Sequence, residues 1–273
     1  MKRVKALIAV LTCTLWSAGA LAWGAQGHRI TGAAAEQMLS ARARIVVGQI
    51  LNGGSLADAA TWMDEERRSL GPKVGKWHYN NIPVCGSPVA RCDKGDCLTE
   101  RLPSLFFVLK DKGAPREKRA EALRMILHMV GDIHQPLHAA DNDDRGGNSV
   151  EFQVGPRGGL RSLHEIWDVD LVKANVRGQS ESRYVSQMLE QMKADGGPAK
   201  WAGGTASQWA VESNRVARQV AYGPLMLNGC GVVASGGPLT EAYVANGRQA
   251  VQLQLIKASV RIAAVLNTAL DPE

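Results

Sequence analysis

The stretch Pro115–His138 reads PREKRAEALRMILHMVGDIHQPLH, and it decides what kind of fold this chain adopts. Pro115 suits the first turn of a helix, where a residue needs no backbone N–H bond inside the helix. Pro136 should end the same helix, because a proline ring clashes with the preceding turn. The stretch therefore predicts one long helix from about Pro115 to His134.

The sequence on both sides has mostly the same helical character. Upstream, Ala57, Ala60 and Met63 are spaced for one apolar helical face. Downstream, a C-terminal stretch keeps a similar face that is more typical of a core than of a site. The predicted helices, besides the one above, are about Gln26–Leu39, Ala41–Leu51, Ser55–Arg68, Thr99–Lys110, Leu163–Lys173, Glu181–Ala194, Thr205–Tyr222 and Glu241–Leu270.

One short region has a different pattern. Apolar residues alternate around Asn148–Val154 and Gly159–Leu163, with a glycine-rich turn between them, which predicts one small β-hairpin. We find no internal repeat and no long linker. The chain is therefore predicted to be all-α, a mainly α-helical single domain with one small hairpin.

Composition bounds the class of protein. The chain has 273 residues, of which 45% are hydrophobic and 21% are charged. This length fits one large domain or two small ones, and the composition is that of an ordinary globular protein. It argues against a mainly disordered chain and against an integral membrane protein.

The N-terminus has the pattern of an export signal. Met1–Lys5 is positively charged, Ala6–Leu21 is apolar, and the segment ends in the small-residue triplet Ala20-Leu21-Ala22. This pattern predicts a secretory signal peptide cleaved after Ala22. A transmembrane anchor is the alternative, but the segment is short for one.

The predicted organisation is thus a signal peptide over residues 1–22 and one domain over residues 23–273, exported and then secreted or periplasmic. Half of the formal charge of +6 belongs to the signal peptide, through Lys2, Arg3 and Lys5. The remaining basic excess is too small to indicate nucleic-acid binding by itself.

Four cysteines follow the predicted cleavage site: Cys85, Cys92, Cys97 and Cys230. An even number in an exported protein favours two disulfides. The tight loop between Cys92 and Cys97 favours that pair, which would leave Cys85 with Cys230. A zinc site made of all four is the alternative, and the lack of paired Cys-x2-Cys spacing argues against it.

Histidines and aspartates recur together, although the chain has only six histidines. His128 lies four residues before Asp132, and a helix would place both side chains on one face. His164 and Asp168 repeat this spacing, and His138 can serve a neighbouring ion. Mixed His and Asp ligands without Cys suit zinc, with other divalent metals possible. Two unrelated structural His–Asp pairs are the alternative.

Three more candidate ligands lie upstream, namely His28, Asp64 and His78. Each alone is more often a packed or surface residue. A catalytic zinc takes about three protein ligands, so five histidines and three aspartates exceed two such sites and predict a cluster. Signal cleavage would also expose the α-amino group of Trp23 as a further nitrogen donor.

Six motifs lie in order along the predicted mature chain, between Trp23 and Asp168: Trp23-Gly-x3-His28, Ala60-Thr-Trp-Met-Asp64, Trp77-His78-Tyr79, His128-Met-Val-Gly-Asp132-Ile-His-Gln-Pro-Leu-His138, Gly146-Gly147-Asn148 and Leu163-His-Glu-Ile-Trp-Asp168. Together they resemble the zinc-dependent, single-strand-specific nuclease family, the type I nucleases of the S-one/P-one group. That family is related to zinc phospholipase C, and the resemblance implies its all-α fold.

The resemblance implies three Zn2+ ions. The first would be held by Asp64, His78, His128 and Asp132. The second would be held by the α-amino nitrogen and carbonyl oxygen of Trp23, by His28 and by Asp132, which would bridge the pair. The third would be held by His138, His164 and Asp168. His134 has no ligand role in the family and is expected to orient a neighbour or to lie at the surface.

The resemblance also implies catalytic roles for two residues. Asp64 would orient the attacking water or accept its proton. Arg67 would bind phosphate and neutralise transition-state charge. A surface ion pair with Glu65 or Glu66 is the alternative for Arg67.

Three further residues are implied to contact substrate. Tyr79 would stack on a base, which requires an unstacked strand, and buried packing is the alternative. Asn81 stands where the fungal nucleases carry an Asp that contacts the base edge, so base preference stays open. Asn148 would contact phosphate or sugar, and a plain turn residue is the alternative.

The implied function is a zinc-dependent endonuclease that cleaves single-stranded DNA and RNA to 5′-phosphate products, with 3′-nucleotides as second substrates. A zinc phospholipase C is the nearest alternative, but it has Glu where this chain has Asp168. A non-catalytic zinc-binding protein is another, and Arg67 weighs against it. Neither a stable membrane association nor an obligate protein partner is implied.

Overall fold

The computed structural model describes residues 23–89, 92, 95–155 and 158–272, and the predicted signal peptide lies outside them. The described residues form helices and one two-stranded sheet, which confirms the all-α prediction. The α-helices are α1 (Gly24–Gln37), α2 (Ala41–Ile50), α3 (Leu56–Glu65), α4 (Arg67–Leu70), α5 (Leu98–Lys110), α6 (Arg116–Ile133), α7 (Leu163–Glu165), α8 (Leu171–Val176), α9 (Glu181–Ala194), α10 (Ala206–Val216) and α11 (Glu241–Leu270).

Shorter helical turns connect several of these helices. Wider π-helical turns are Ile166–Asp170, between α7 and α8, and Ala217–Tyr222, after α10. Tighter 3₁₀ turns are Pro72–His78, Pro136–Ala139, Pro198–Lys200 and Gly223–Leu225. Two of these turns, Pro72–His78 and Pro136–Ala139, carry histidines singled out in the sequence.

Polar caps fix where the helices begin. The side chains of Ser40, Ser55 and Ser162 each accept a hydrogen bond from the backbone N–H three residues later, at the starts of α2, α3 and α7. Thr205 forms a reciprocal capping box with Gln208 at the start of α10. The predicted helix Ser55–Arg68 is broken at Glu66, which leaves helical geometry and separates α3 from α4.

The predicted hairpin is present, although its strands are short. Strand β1 (Glu151–Gln153) pairs antiparallel with β2 (Leu160–Ser162), and Phe152 lies opposite Arg161. The buried Phe152 anchors the hairpin to the domain. Because β2 leads directly into α7, the hairpin fixes the chain just before His164.

Helix α6 is the centre of the core. It packs against α3, α5 and α11, and its residues Leu123, Ile126, Leu127 and Val130 are fully buried. Burying each such side chain stabilises the fold by about 1.5–3 kcal/mol. The same burial carries the polar residues of its last two turns into the interior.

Helix α11 is long and apolar enough by length and composition to cross a membrane. In the structure, however, 67% of its most apolar window is buried inside the domain. It packs against α1, α6 and α8, and Val251, Leu255 and Ile262 lie in the core. A core helix of a globular domain has this character, in agreement with its predicted apolar face.

Two disulfides close loops on the surface of the helical domain. Cys85 is bonded to Cys230 and Cys92 to Cys97, with Cα–Cα distances of 5.9 and 5.5 Å. This is the pairing that the sequence favoured, and the alternative zinc site of four cysteines is wrong. The bond between Cys85 and Cys230 joins chain segments that are 145 residues apart.

Candidate metal centre

Helix α6 supplies the two residues at the centre of the site. His128 and Asp132 are one turn apart and fully buried, and His128 Nε2 lies 3.4 Å from Asp132 Oδ2. The helical spacing seen in the sequence therefore gives the expected shared face. Because α1, α3 and the turn Pro72–His78 pack against this part of α6, they bring further ligand side chains to the same place.

Asp132 is surrounded by histidines from other parts of the chain. Its carboxylate oxygens lie 3.3 Å from His28 Nε2 and 3.1 Å from His78 Nδ1. Asp64 adds a second carboxylate, with Oδ1 3.7 Å from His128 Nε2 and 3.9 Å from His78 Nδ1. We call these five residues, His28, Asp64, His78, His128 and Asp132, the Asp132 cluster.

Backbone groups orient the rings of this cluster. His128 Nδ1 contacts the carbonyl oxygen of Ala60 at 2.9 Å, which directs Nε2 towards the carboxylates. The ring of His28 stacks on that of His128 with centroids 3.9 Å apart. Gly131 makes room for His28, because a Cβ at that position would lie 2.9 Å from its Nδ1.

The second group of ligands lies further along the chain. His164 Nε2 is 3.2 Å from Asp168 Oδ2, and His138 Nε2 is 3.7 Å from Asp168 Oδ1. We call His138, His164 and Asp168 the Asp168 cluster. The two clusters are neighbours, since His138 Nδ1 lies 3.8 Å from Asp132 Oδ1.

A loop and a turn orient the Asp168 cluster. His164 Nδ1 contacts the carbonyl oxygen of Gly146 at 2.7 Å, and His138 Nδ1 contacts that of His78 at 2.7 Å. Gly146 has a positive φ of 64°, and a Cβ there would lie 2.6 Å from the carbonyl oxygen of Leu137. The glycine is therefore required for the loop to approach His164.

Gln135 is a residue of this site that the sequence did not single out. It is fully buried, and its Nε2 donates to Asp168 Oδ1 at 2.5 Å. Its Oε1 accepts from the backbone N–H of Leu137 at 2.6 Å, which fixes the orientation of the amide. In the sequence the only hint was a polar residue next to Pro136 in the motif.

The two central carboxylates have opposite pKa shifts. Burial opposes the charge of Asp132, but His128 and the other surrounding histidines outweigh it and hold its pKa well below the usual range. Burial dominates at Asp168 and raises its pKa well above that range, although the hydrogen bond from Gln135 acts in the other direction. Burial also raises the pKa of Asp64, against the charges of His28 and Arg67.

Buried histidines in both clusters favour the neutral form. Burial lowers the pKa of His128 well below its normal value and lowers that of His164 to about 3. A neutral imidazole keeps a free lone pair, which is the form that binds a metal ion.

The donor atoms of both clusters fit a metal centre. Several buried nitrogen and oxygen atoms have no hydrogen-bond partner in the described part of the chain, namely His28 Nδ1 and Nε2, Asp64 Oδ1, His78 Nε2, Asp132 Oδ1, His138 Nε2 and His164 Nε2. Buried polar atoms are otherwise almost always satisfied. Imidazole and carboxylate donors suit zinc.

Three groups of donors are close enough to hold a metal ion, each with its ligand atoms within 4.8 Å of one another. The groups are His28 with Asp64 and His128; His78 with His128 and Asp132; and His138 with His164 and Asp168. The structure therefore brings together all eight His and Asp side chains proposed as ligands. How they divide among individual ions remains a prediction.

Trp23 lies against both clusters. Its indole Nε1 donates to the carbonyl oxygen of Gly131 at 2.7 Å, one residue before Asp132. A Cβ on Gly24 would lie 3.3 Å from the carbonyl oxygen of Asp168, so the chain passes close to the second cluster as well. Main-chain ligation by Trp23 stays a prediction.

The four residues proposed to act on substrate have different settings. Arg67 begins α4, its guanidinium extends towards Gly75, and its charge lowers the pKa of Asp64. Tyr79 is 40% exposed, so buried packing is wrong for it.

Asn81 and Asn148 are both partly buried. Asn81 lines a pocket together with Asp141 and Asp143. The Asn148 side-chain amide donates to the carbonyl oxygen of Arg145 at 2.8 Å, so it does close a turn. Substrate contacts by both residues stay predictions.

His134 is not at the surface, which corrects one of the two expected settings. It is fully buried, its Nδ1 contacts the carbonyl oxygen of Val130 at 2.7 Å, and Arg261 Nη1 donates to its Nε2 at 2.8 Å. Burial and the charge of Arg261 lower its pKa to about 3. His134 therefore stabilises the end of α6 away from the ligands.

Comparison with known proteins gives matches along most of the chain. The S1/P1 Nuclease family matches residues 23–271. Nuclease P1 of Penicillium citrinum is 27% identical over 275 residues, covering 90% of this chain and 97% of the relative. Nuclease S1 of Aspergillus oryzae is 28% identical over 217 residues, covering 70% and 74%. Endonuclease 1 of Arabidopsis thaliana is 24% identical over 266 residues, covering 90% and 86%. Because the family match runs across both clusters and nearly every described element, the chain belongs to the S1/P1 nuclease family.

Proposed function

We propose that this protein is an exported, zinc-dependent endonuclease that cleaves single-stranded DNA and RNA to 5′-phosphate products and also removes 3′-phosphate from nucleotides. Membership of the S1/P1 family makes it a nuclease, a hydrolase of phosphodiester bonds. The observation that carries the finer proposal is the set of eight convergent His and Asp side chains, six of which have a buried donor atom with no hydrogen-bond partner in the described part of the chain.

The three proposed Zn2+ ions would be held by the ligand sets that the family motifs imply, with Asp132 shared by two of them. Bound zinc lowers the pKa of a water molecule to near neutrality and polarises phosphoryl oxygens. The protein supplies rigid placement, because the rings are fixed by carbonyl oxygens and the carboxylates by buried neighbours.

Asp64 and Arg67 would serve the chemical step. The side chain of Asp64 is 11% exposed, whereas that of Asp132 is fully buried, so Asp64 is the carboxylate of its cluster that solvent reaches. A raised pKa makes it a better proton acceptor for the attacking water. Arg67, three residues after Asp64, carries a permanent charge and would neutralise the charge that develops on the phosphate.

Tyr79 would select for single strands. Its exposed ring follows His78 directly, and base–aromatic stacking is worth about 1–3 kcal/mol per base. A base can stack on a protein ring only after it has left its neighbours in the strand. Asn81 and Asn148 would contact the base edge and the phosphate or sugar, respectively.

The most direct test compares hydrolysis of single-stranded DNA, RNA, 3′-AMP and phosphatidylcholine, with and without a chelator. We expect turnover of the first three, its loss on chelation, and its return with zinc. Turnover of phosphatidylcholine alone would favour a phospholipase C. Bound zinc without turnover of any substrate would favour a metal-binding protein.

Export and cleavage after Ala22 make a separate prediction. If the α-amino group of Trp23 binds metal, a peptide left in front of Trp23 should remove most activity and lower the zinc content. The measurement compares authentic mature protein with a form whose N-terminal extension is verified intact by mass spectrometry. Full activity of the extended form would refute ligation by the N-terminus.

A further inference from the structure

A second cleft, away from the metal clusters, lies beside α10. It has a volume of about 410 Å3, and Arg215, Arg218, Asn214 and Gln219 contribute its polar lining. Among the described residues that line it there is no Asp or Glu. Arg215, from α10, and Arg218, from the π-helical turn that follows it, both line this cleft.

The positive charge of this cleft is not neutralised from within the described part of the chain. Neither Arg215 nor Arg218 forms an ion pair there. Arg218 Nη1 donates to a neutral acceptor, the carbonyl oxygen of Gly86, at 3.3 Å. Two guanidinium groups that face one cleft without a carboxylate favour an anion between them.

The cleft continues along the helix into a larger one of about 800 Å3. The two clefts share Val211 and Arg215, and the larger one adds Lys200. Glu212 lines it too, but its carboxylate lies 2.9 Å from Arg261 and 3.5 Å from Lys257, which cancels its charge. We call this continuous surface the α10 groove.

The wall of the α10 groove is formed by the chain segment that leads to the metal centre. The Asn214 amide donates to the carbonyl oxygens of Ile82 and Ala139, at 3.2 and 3.1 Å, and these residues directly follow Asn81 and His138. Val84 also lines the groove. Val84 follows Tyr79 by five positions in the chain, so the two residues are at most about 17 Å apart.

We propose that the α10 groove binds the phosphates of a single-stranded polynucleotide, several nucleotides away from the bond that is cut. At the stacked spacing of 3.4 Å per nucleotide, this upper limit of about 17 Å corresponds to at most about five nucleotides. The groove would therefore strengthen the binding of long strands but not that of dinucleotides. The inference rests on the proposed nuclease function, because it assumes that a strand is held at Tyr79.

The test uses two matched double variants that each remove two positive charges. Arg215→Gln with Arg218→Gln alters the groove, whereas Arg177→Gln with Arg183→Gln removes exposed arginines that line neither cleft. For a single-stranded substrate of about 20 nucleotides, the groove variant should raise KM roughly 10-fold. The plot of the logarithm of the binding constant against the logarithm of the salt concentration should become shallower. Its slope should decrease by about 1.4, the value for two phosphate contacts on a single strand.

For a dinucleotide, the kcat/KM of the groove variant should fall less than about twofold. Such a substrate is too short to reach from Tyr79 to the groove. The control variant should match the wild type on both substrates, and Arg215→Lys with Arg218→Lys should keep most of the affinity. An unchanged KM for the long strand would overturn the proposal. An equal loss on both substrates, or an equal loss in the control, would overturn it as well.

Binding of a hydrolysis-resistant phosphorothioate strand of the same length to the zinc-loaded protein, followed by fluorescence anisotropy, separates the two proposals. If the wild type cleaves no strand, the proposed function fails. The groove proposal then stands if the groove variant alone binds more weakly, and falls if both double variants bind like the wild type.

Discussion

The Asp132 cluster and the Asp168 cluster contain the same kinds of residue, yet they are built differently. The residues of the Asp132 cluster come from α1, α3, α6 and the turn Pro72–His78, so they meet only through helix packing. The residues of the Asp168 cluster all lie within 138–168 and are oriented by a loop, a π-helical turn and one buried amide.

The two central carboxylates also balance their charge in different ways. Asp132 is surrounded by histidines, and its pKa is held low even without a metal ion. Burial raises the pKa of Asp168. The charged groups near it are mainly other acids, which raise this pKa as well. The fold alone holds the pKa of Asp132 low, whereas the charged form of Asp168 is favoured by the hydrogen bond from Gln135 and would be favoured further by a bound cation.

The largest effect is expected from Asp132→Ala. This change removes the carboxylate proposed to bridge two ions, so two of the three proposed zinc ions should be lost together while the Asp168 cluster keeps its own. Activity should fall by more than the roughly 10²–10³-fold that removal of one transition-state donor costs. Zinc per chain is measured by elemental analysis, with the exposed Glu190→Ala as a control. Three zinc ions per chain in the Asp132 variant would contradict the bridge.

Acidification should remove zinc from the two clusters at different pH values. Asp168 has a raised pKa, so a proton competes with the metal there at higher pH, whereas the lowered pKa of Asp132 delays that competition. His164 has a pKa of about 3, so its ring stays neutral at any pH well above that value. We expect one zinc ion per chain to leave at a higher pH than the others on dialysis through a pH series. Loss of all zinc in a single step would break the comparison.

The smallest effect is expected from Gln135→Ala. Without its donor, Asp168 should turn more freely, and one metal ion should bind about 10- to 100-fold more weakly. Gln254→Ala is a matched control, because Gln254 is also buried but donates to the His134 carbonyl and to Ser213. Zinc titration of both variants measures the difference. Equal weakening in both would mean that Gln135 acts only through the stability of the fold.

Much of the fold was predictable because its signals are local. Pro115 and Pro136 flank α6, which runs from Arg116 to Ile133, close to the predicted bounds. Ser55 and Glu66 show the limit of such signals. The start of α3 near Ser55 was predicted, but the break at Glu66 was not, because helical propensity alone does not end a helix there.

The sequence predicted which residue types form the site. It did not predict which other residues contact them. The spacing of His128 and Asp132 required only that the segment be helical. The setting of His134 could not be inferred, because its partner Arg261 is 127 residues away in the sequence. Gln135 and Gly131 were missed for the same reason, since their importance comes from Asp168 and His28, which only the folded chain brings next to them.

The sequence by itself determined the helical class, the two His–Asp pairs at helical spacing and the cysteines that form the disulfides. These depend on periodicity, on proline chemistry and on residue counts, which need no knowledge of distant contacts. The tertiary structure alone decided that Asp132 meets four histidines, that Asp168 is buried beside Gln135, and that Arg215 and Arg218 line one cleft. Distances between residues far apart in sequence, and the burial that shifts a pKa, arise only when the helices pack.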